Sequence, residues 1–144
     1  MEYVLETDGL CKRYRNFTAL SGLNMRIPKG AIYGFVGRNG AGKTTLIRLI
    51  CGLQEPTEGS FTLYGAKNTD AKIERARRRM GAVVESPAIY PDMTARENIC
   101  QQYRVLGLPS DDGIDELLHL VGLGDTGRKN VKNFSLGMRQ RLGI

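Results

Sequence analysis

Apolar and polar residues alternate in short runs over Tyr3–Arg15 and again over Thr18–Ile27, which predicts two half-buried strands. Pro28-Lys29-Gly30 marks a turn after the second. Ala31-Ile32-Tyr33-Gly34-Phe35-Val36 is then continuously apolar, the pattern of a strand covered on both faces in a parallel sheet, and it runs straight into the glycine-rich stretch Gly37–Gly42. Beyond that stretch the period becomes helical. Leu46, Ile47, Leu49 and Ile50 fall on one stripe, and Gly52 stands where a left-handed cap ends a helix. Glu55–Gly59 reads as a turn, Ser60–Tyr64 as a strand, Ala71–Arg79 as a basic helix and Gly81–Val84 as a further buried strand.

From Ser86 onward strand signals stop. Thr94-Ala95-Arg96-Glu97 has the spacing of a capping box, after which Ile99, Tyr103 and Leu106 line one helix face until Gly107 and Pro109. Ile114, Leu117, Leu118 and Val121 form the stripe of another helix closing at Gly122, and His119 lies off that stripe as a solvated residue. Gly124–Asn133 is polar and loop-like, and Ser135 caps a last helix. The expected organisation is an α/β core over residues 1–85 followed by a helical subdomain over 86–144.

Composition narrows the class. A chain of 144 residues, 41% hydrophobic and 25% charged, fits one soluble globular domain and excludes collagen-like, mucin-like or disordered chains. No apolar stretch approaches the ~18 residues of a membrane-spanning helix, and Met1-Glu2-Tyr3 does not begin a signal peptide, so a cytosolic or peripheral protein is expected. Cys11, Cys51 and Cys100 are too few and too widely spaced for a disulfide framework or a Cys-x-x-Cys metal site, which fits a reducing compartment. The net charge of +6 favours anionic partners without choosing among them. Its densest cluster, Arg75, Arg77, Arg78 and Arg79, has no interleaved aromatics and reads as a solvated helix face.

Gly37-Arg38-Asn39-Gly40-Ala41-Gly42-Lys43-Thr44 satisfies G-x-x-x-x-G-K-[ST] between an apolar run and a helix. Successive backbone N–H groups converge on phosphates there, and side chains at the glycine positions would obstruct them. Lys43 then neutralises the β- and γ-phosphates, Thr44 offers its hydroxyl to Mg²⁺, and the N-terminus of the following helix, from Thr45 on, adds partial positive charge. The loop alone fits GTPases, kinases and ATPases alike.

The surrounding residues narrow that choice. Tyr14 near the start, G-x-N-G-A-G-K-T-T, a P-T-x-G-x-x-x-x-x-G turn-strand-turn at Pro56–Gly65, Pro91–Asn98 and Asn133-Phe134-Ser135-Leu136-Gly137-Met138-Arg139-Gln140-Arg141 occur in one order. In that order the chain resembles the ATP-binding subunits of ABC transporters. The resemblance implies a P-loop NTPase of ABC type: a mixed sheet core with an antiparallel β layer and a helical subdomain, here truncated. It implies ATP and Mg²⁺ as cofactors, Tyr14 stacking on adenine, and Ser135 and Gly137 holding the γ-phosphate of ATP on a second ATP-binding subunit. It also implies transmembrane permease subunits as partners, reached near Glu85–Met93, a peripheral place on the cytoplasmic face of the membrane, and no nucleic-acid partner. Two positions depart from the family's commonest pattern. Leu136 replaces a glycine of the L-S-G-G-Q signature, and Glu85 stands where most members carry a glutamine, giving a carboxylate that can still ligate Mg²⁺. Glu85 followed by Ser86-Pro87-Ala88-Ile89-Tyr90-Pro91, with F-S-L-G-M-R-Q-R-L-G, looks like the bacitracin and lantibiotic self-protection branch of bacterial ABC exporters, which implies export of a peptide antibiotic or similar compound.

The family's Walker B aspartate and glutamate, and its later switch histidine, have no counterpart in these residues, so the resemblance implies an N-terminal fragment with no catalytic residue of its own. Such a piece is expected to bind nucleotide weakly, to hydrolyse it negligibly, and to present an apolar sheet edge that makes it unstable alone or self-pairing. Two other readings stay open at this point: a soluble ABC-type ATPase acting on the ribosome or DNA, and a P-loop kinase or GTPase.

Overall fold

A computed structural model of the chain describes residues 2–84 and 86–144. Their contacts gather into two compact units, Met1–Val84 and Glu85–Ile144. In the first, β1 (Tyr3–Tyr14) and β2 (Phe17–Pro28) form the antiparallel hairpin that the alternation predicts, closed by Arg15 and Asn16. β3 (Glu58–Leu63) and the short β4 (Ala66–Lys67) complete an antiparallel sheet in the order β2-β1-β3-β4. A register shift after Thr7 moves the inward-facing set from Leu5 and Thr7 to Leu10, so the core-facing alternation survives an irregular ladder.

Helix α1 (Lys43–Ile50) lays Leu46 and Leu49 against Leu10, Leu20, Phe61 and Leu63, and α2 (Ile73–Arg77) adds Ile73 and Ala76 to the same core. Ile47, expected on the buried stripe of α1, is exposed, so the stripe is narrower than its apolar content suggests.

Two expected strands are not there. Ala31–Val36 and Gly81–Val84 form no strand, and Ile32, Tyr33, Val36, Ala82 and Val83 are exposed. A strand inside a parallel sheet needs hydrogen-bonded neighbours for its N–H and C=O groups. The four strands among the described residues pair only with one another, so an apolar run is not by itself enough to enter a sheet.

The second unit is helical: α3 (Ala95–Leu106), α4 (Ile114–Leu120) and α5 (Leu136–Leu142). Ala95, Ile114, Leu118, Leu123, Val131 and Phe134 make its core, with Ile99, Tyr103, Val121 and Met138 packed against it. Leu106 and Leu117 were expected on the buried stripes and are exposed instead, because Leu123, Val131 and Phe134, from segments that looked like loop and cap, fill the interior. The capping box forms as its spacing predicts. Thr94 Oγ1 accepts from the Glu97 amide at 3.2 Å, while the Glu97 carboxylate accepts from the Thr94 amide at 2.7 Å and from its hydroxyl at 2.8 Å. No helix among the described residues is long and apolar enough to cross a membrane.

The two bonds from Thr94, the backbone one first, hold the Glu97 carboxyl below its ordinary value of 4.5. A depressed carboxyl pKa contributes stability that is complete above the ordinary glutamate range and is lost as the pH falls through the folded-state value. Helicity of α3 is therefore expected to fall on acidification below about pH 5, and Glu97→Gln should flatten that part of the profile. Circular dichroism of both proteins against pH checks this; superimposable profiles would contradict it.

Candidate functional site

The glycine-rich loop is built on β2. Gly42, with φ 87°, precedes α1 and lies so close to the hairpin that a Cβ there would stand 2.2 Å from the Ala19 carbonyl oxygen. Gly40 takes φ 84°, the Ala41 amide donates to the Arg38 carbonyl at 3.1 Å, and the Leu46 amide donates to the Gly42 carbonyl at 2.9 Å. Residues 37–41 are exposed, with Gly42, Lys43, Thr44 and Thr45 half-buried behind them. The Lys43 ammonium folds back over the loop and donates to the carbonyls of Gly37 (2.5 Å) and Arg38 (2.9 Å).

Three features suit this loop to a negatively charged group. No side chain caps the start of α1, its first turn holds no acidic residue, and Lys43 adds a full positive charge at the same place. Backbone amides, a helix N-terminus and a lysine then act in the same direction on a negatively charged group. The Thr44 hydroxyl is a hard oxygen donor of the kind Mg²⁺ takes.

The other end of α1 is also electrically matched, through a residue that the sequence pattern misassigned. Arg77 is not part of a solvated face: its side chain is only 12% exposed, Nε donates to the Ile50 carbonyl at 3.1 Å, and Nη1 pairs with Glu74. A cation on a carbonyl of the last turn suits the negative end of the helix. Gly52, where a Cβ would meet the guanidinium at 2.6 Å, makes room for it. Spacing alone gives no signal that separates Arg77 from Arg75 and Arg78, which are exposed. Cys51, next to this contact, has its thiol pKa pushed up by burial, against a smaller opposing pull from Arg77.

Tyr14 closes β1 in the same unit. Its hydroxyl bonds the Gln54 side chain, and the Lys12 ammonium sits 5.3 Å from its ring centroid. Ser135 and Gly137 lie in the second unit. Ser135 is the N-cap of α5, its Oγ accepting from the Met138 amide at 3.2 Å, and a Cβ on Gly137 would meet nothing within 4 Å. Leu136 between them is exposed. Glu85, the second expected metal ligand, lies outside the described residues. His119 is exposed as expected, with Nδ1 2.7 Å from the Asp115 carbonyl oxygen. The structure thus brings Gly37–Thr45 together as one constellation and keeps Tyr14 in the same unit.

Comparison with known proteins adds an independent line. The sequence model of the ABC transporter family matches residues 20–144. Over all 144 residues the chain is 43% identical to the bacitracin transport ATP-binding protein BcrA of Bacillus licheniformis, covering 47% of that protein. It is 40% identical over 141 residues to the lantibiotic transport ATP-binding protein SrtF of Streptococcus pyogenes, covering 98% of this chain and 59% of that one. The chain spans about half the length of the curated relatives it matches. Among solved structures, an ATP-binding subunit of an ABC transporter superimposes with a TM-score of 0.78 at 28% identity, over 96% of this chain and 59% of that one. The cbiO1 protein of Clostridium perfringens, part of the cbiONQ complex, reaches a TM-score of 0.81 at 24% identity, over 100% of this chain and 60% of that one, a likeness of fold.

Proposed function

We propose, from the premise that this chain belongs to the ABC transporter family, that residues 37–45 hold the phosphates of Mg-ATP in an ATP-binding subunit whose nucleotide cycle drives transport. The observation that carries this reading is the cradle itself: an uncapped helix start without carboxylates, with Lys43 folded over the loop that leads into it. Lys43 neutralises the β- and γ-phosphates, and the amides of Gly40 and of residues 42–45 donate to their oxygens, the Ala41 amide being held by the Arg38 carbonyl. Thr44, together with Glu85, holds Mg²⁺, whose charge offsets that of the phosphates when it is bound. Tyr14 offers adenine one ring face, the other being covered by Lys12.

In the same reading Ser135 and Gly137 face the γ-phosphate of ATP on a second ATP-binding subunit, and the segment 85–93 meets a permease subunit at the cytoplasmic face of the membrane. The cargo is a peptide antibiotic, since relatives at 40% to 43% identity are named for bacitracin and lantibiotic transport. The first unit is the nucleotide-binding core and the second the helical subdomain. Asp115-Glu116, the one adjacent Asp-Glu pair of the sequence, opens helix α4 instead of following a strand, and in this reading the 144 residues hold no general base of their own for the cradle. Their own turnover is expected to be slower by about 100-fold or more than with such a base in place.

Equilibrium binding tests the reading with Mg-ATP and inorganic tripolyphosphate in parallel. Both are expected to bind, and Tyr14→Leu should weaken ATP by roughly 5- to 100-fold, the worth of one base stacked on an aromatic ring, while leaving tripolyphosphate unchanged. Equal losses for the two ligands would remove Tyr14 from the adenine site, and no binding of either would overturn the cradle.

A further inference from the structure

The segment that follows Glu85 is coil, yet it is held at almost every residue from 90 to 94. Asn98, 6% exposed on the first turns of α3, accepts from the Tyr90 amide at 2.7 Å and donates to the carbonyls of Tyr90 (3.0 Å) and Thr94 (2.9 Å). Its side chain therefore spends its hydrogen-bonding capacity on the backbone of one short segment. The opposite edge of that segment is bonded to residues 130–132. The Val131 amide donates to Met93 O at 2.9 Å and the Lys132 amide to Pro91 O at 2.8 Å. Thr94 and Asn130 form an antiparallel bridge, and Asn130 Nδ2 donates to Asp92 O at 3.1 Å. Lys132 Nζ pairs with the Asp92 carboxylate at 2.9 Å.

The chain of contacts continues without a gap toward α5. The Phe134 amide donates to Val131 O at 3.0 Å, and Val131 and Phe134 are both buried. Arg139 Nη1 donates to Phe134 O at 2.7 Å and the Arg139 amide to Ser135 O at 3.0 Å, from within the first turns of the helix that Ser135 caps. Pro91 further stiffens one side of this ladder.

We propose that Asn98 is a positioning residue that locks residues 90–94 and 130–135 into one rigid strap, so that a push on the first displaces Ser135 with it. This rests on the reading of residues 85–93 as the permease-facing segment and of Ser135 as a phosphate ligand; the strap supplies the link between them. A coupling of this kind is reciprocal, so a restraint placed on Ser135 also restrains residues 90–94. A side chain that merely held its own loop would act no further than Thr94.

Amide hydrogen exchange of the 144-residue chain, measured by NMR without nucleotide, separates the two. In Asn98→Leu the amides of Val131, Lys132 and Met138 are expected to exchange at least about tenfold faster, all three together, while those of Val121 and Leu123 at the end of α4 keep their rates. Faster exchange at Val131 and Lys132 with Met138 unchanged would overturn the strap. Should the α4 amides accelerate equally, the whole unit has opened. Lys132→Met, which removes one exposed ion pair, then decides: Val131 and Met138 must accelerate by the same factor, roughly two- to fivefold, and any other pattern overturns the proposal. Because no ATP is present, these rates stand or fall separately from nucleotide binding at residues 37–45.

Discussion

Lys43→Ala is expected to weaken Mg-ATP binding by roughly 10- to 100-fold, the worth of one charge-assisted hydrogen bond to a phosphate oxygen, while leaving the fold in place. Among the described residues the Lys43 ammonium bonds to carbonyls of the exposed loop, Gly37 and Arg38, and Lys43 is not part of the core of Leu10, Leu49 and Phe61. Its loss therefore removes charge from the cradle without opening a cavity. The effect should be larger for ATP than for AMP, which lacks the β- and γ-phosphates. Calorimetric titration of both nucleotides into both proteins measures this. Affinities for ATP within twofold of each other would mean that Lys43 does not face the phosphates.

The second large effect is expected at Gly42, and it reads the loop's attachment rather than its charge. Alanine there must adopt φ near 87° and place its Cβ 2.2 Å from the Ala19 carbonyl oxygen. The left-handed conformation costs about 1–2 kcal/mol and the overlap about 1–3 kcal/mol more, together roughly 2–5 kcal/mol. That is a large share of the ~5–15 kcal/mol that holds a domain together. Gly40 provides the comparison, because its φ is 84° but a Cβ there would meet nothing within 4 Å. Gly40→Ala should therefore cost only the conformational part, about 1–2 kcal/mol. Urea unfolding of the two variants tests the difference, and equal losses would show that the approach to Ala19 carries no energy.

The sequence speaks clearly wherever one local rule decides the outcome. The β1–β2 hairpin follows from alternation, the start of α3 from the Thr94–Glu97 capping box, and the ends of α1, α3 and α4 from Gly52, Gly107 and Gly122, all in the left-handed region. The cradle follows from a motif whose residue types are tied to backbone geometry. Where the outcome depends on partners distant in the chain, the pattern misleads. Ala31–Val36 carries the apolar content of a buried strand, but no described strand pairs with it. Arg77 has the same local signature as Arg75, and only the Ile50 carbonyl and the space left by Gly52 distinguish it. Val131 lies in a polar stretch yet is fully buried, because it packs into one cluster with Ile114, Leu118 and Leu123 from distant parts of the unit. Asn98 is polar on a helix and gives no hint that its amide holds residues 90–94.

Backbone amide shifts of residues 37–45, followed by NMR as Mg-ATP and then AMP are added, probe the phosphate cradle most directly. Large saturable shifts at Gly40, Gly42, Lys43 and Thr44 with Mg-ATP, and much smaller ones with AMP, are the predicted result. Resonances that stay in place with Mg-ATP, or move equally with both nucleotides, would contradict it.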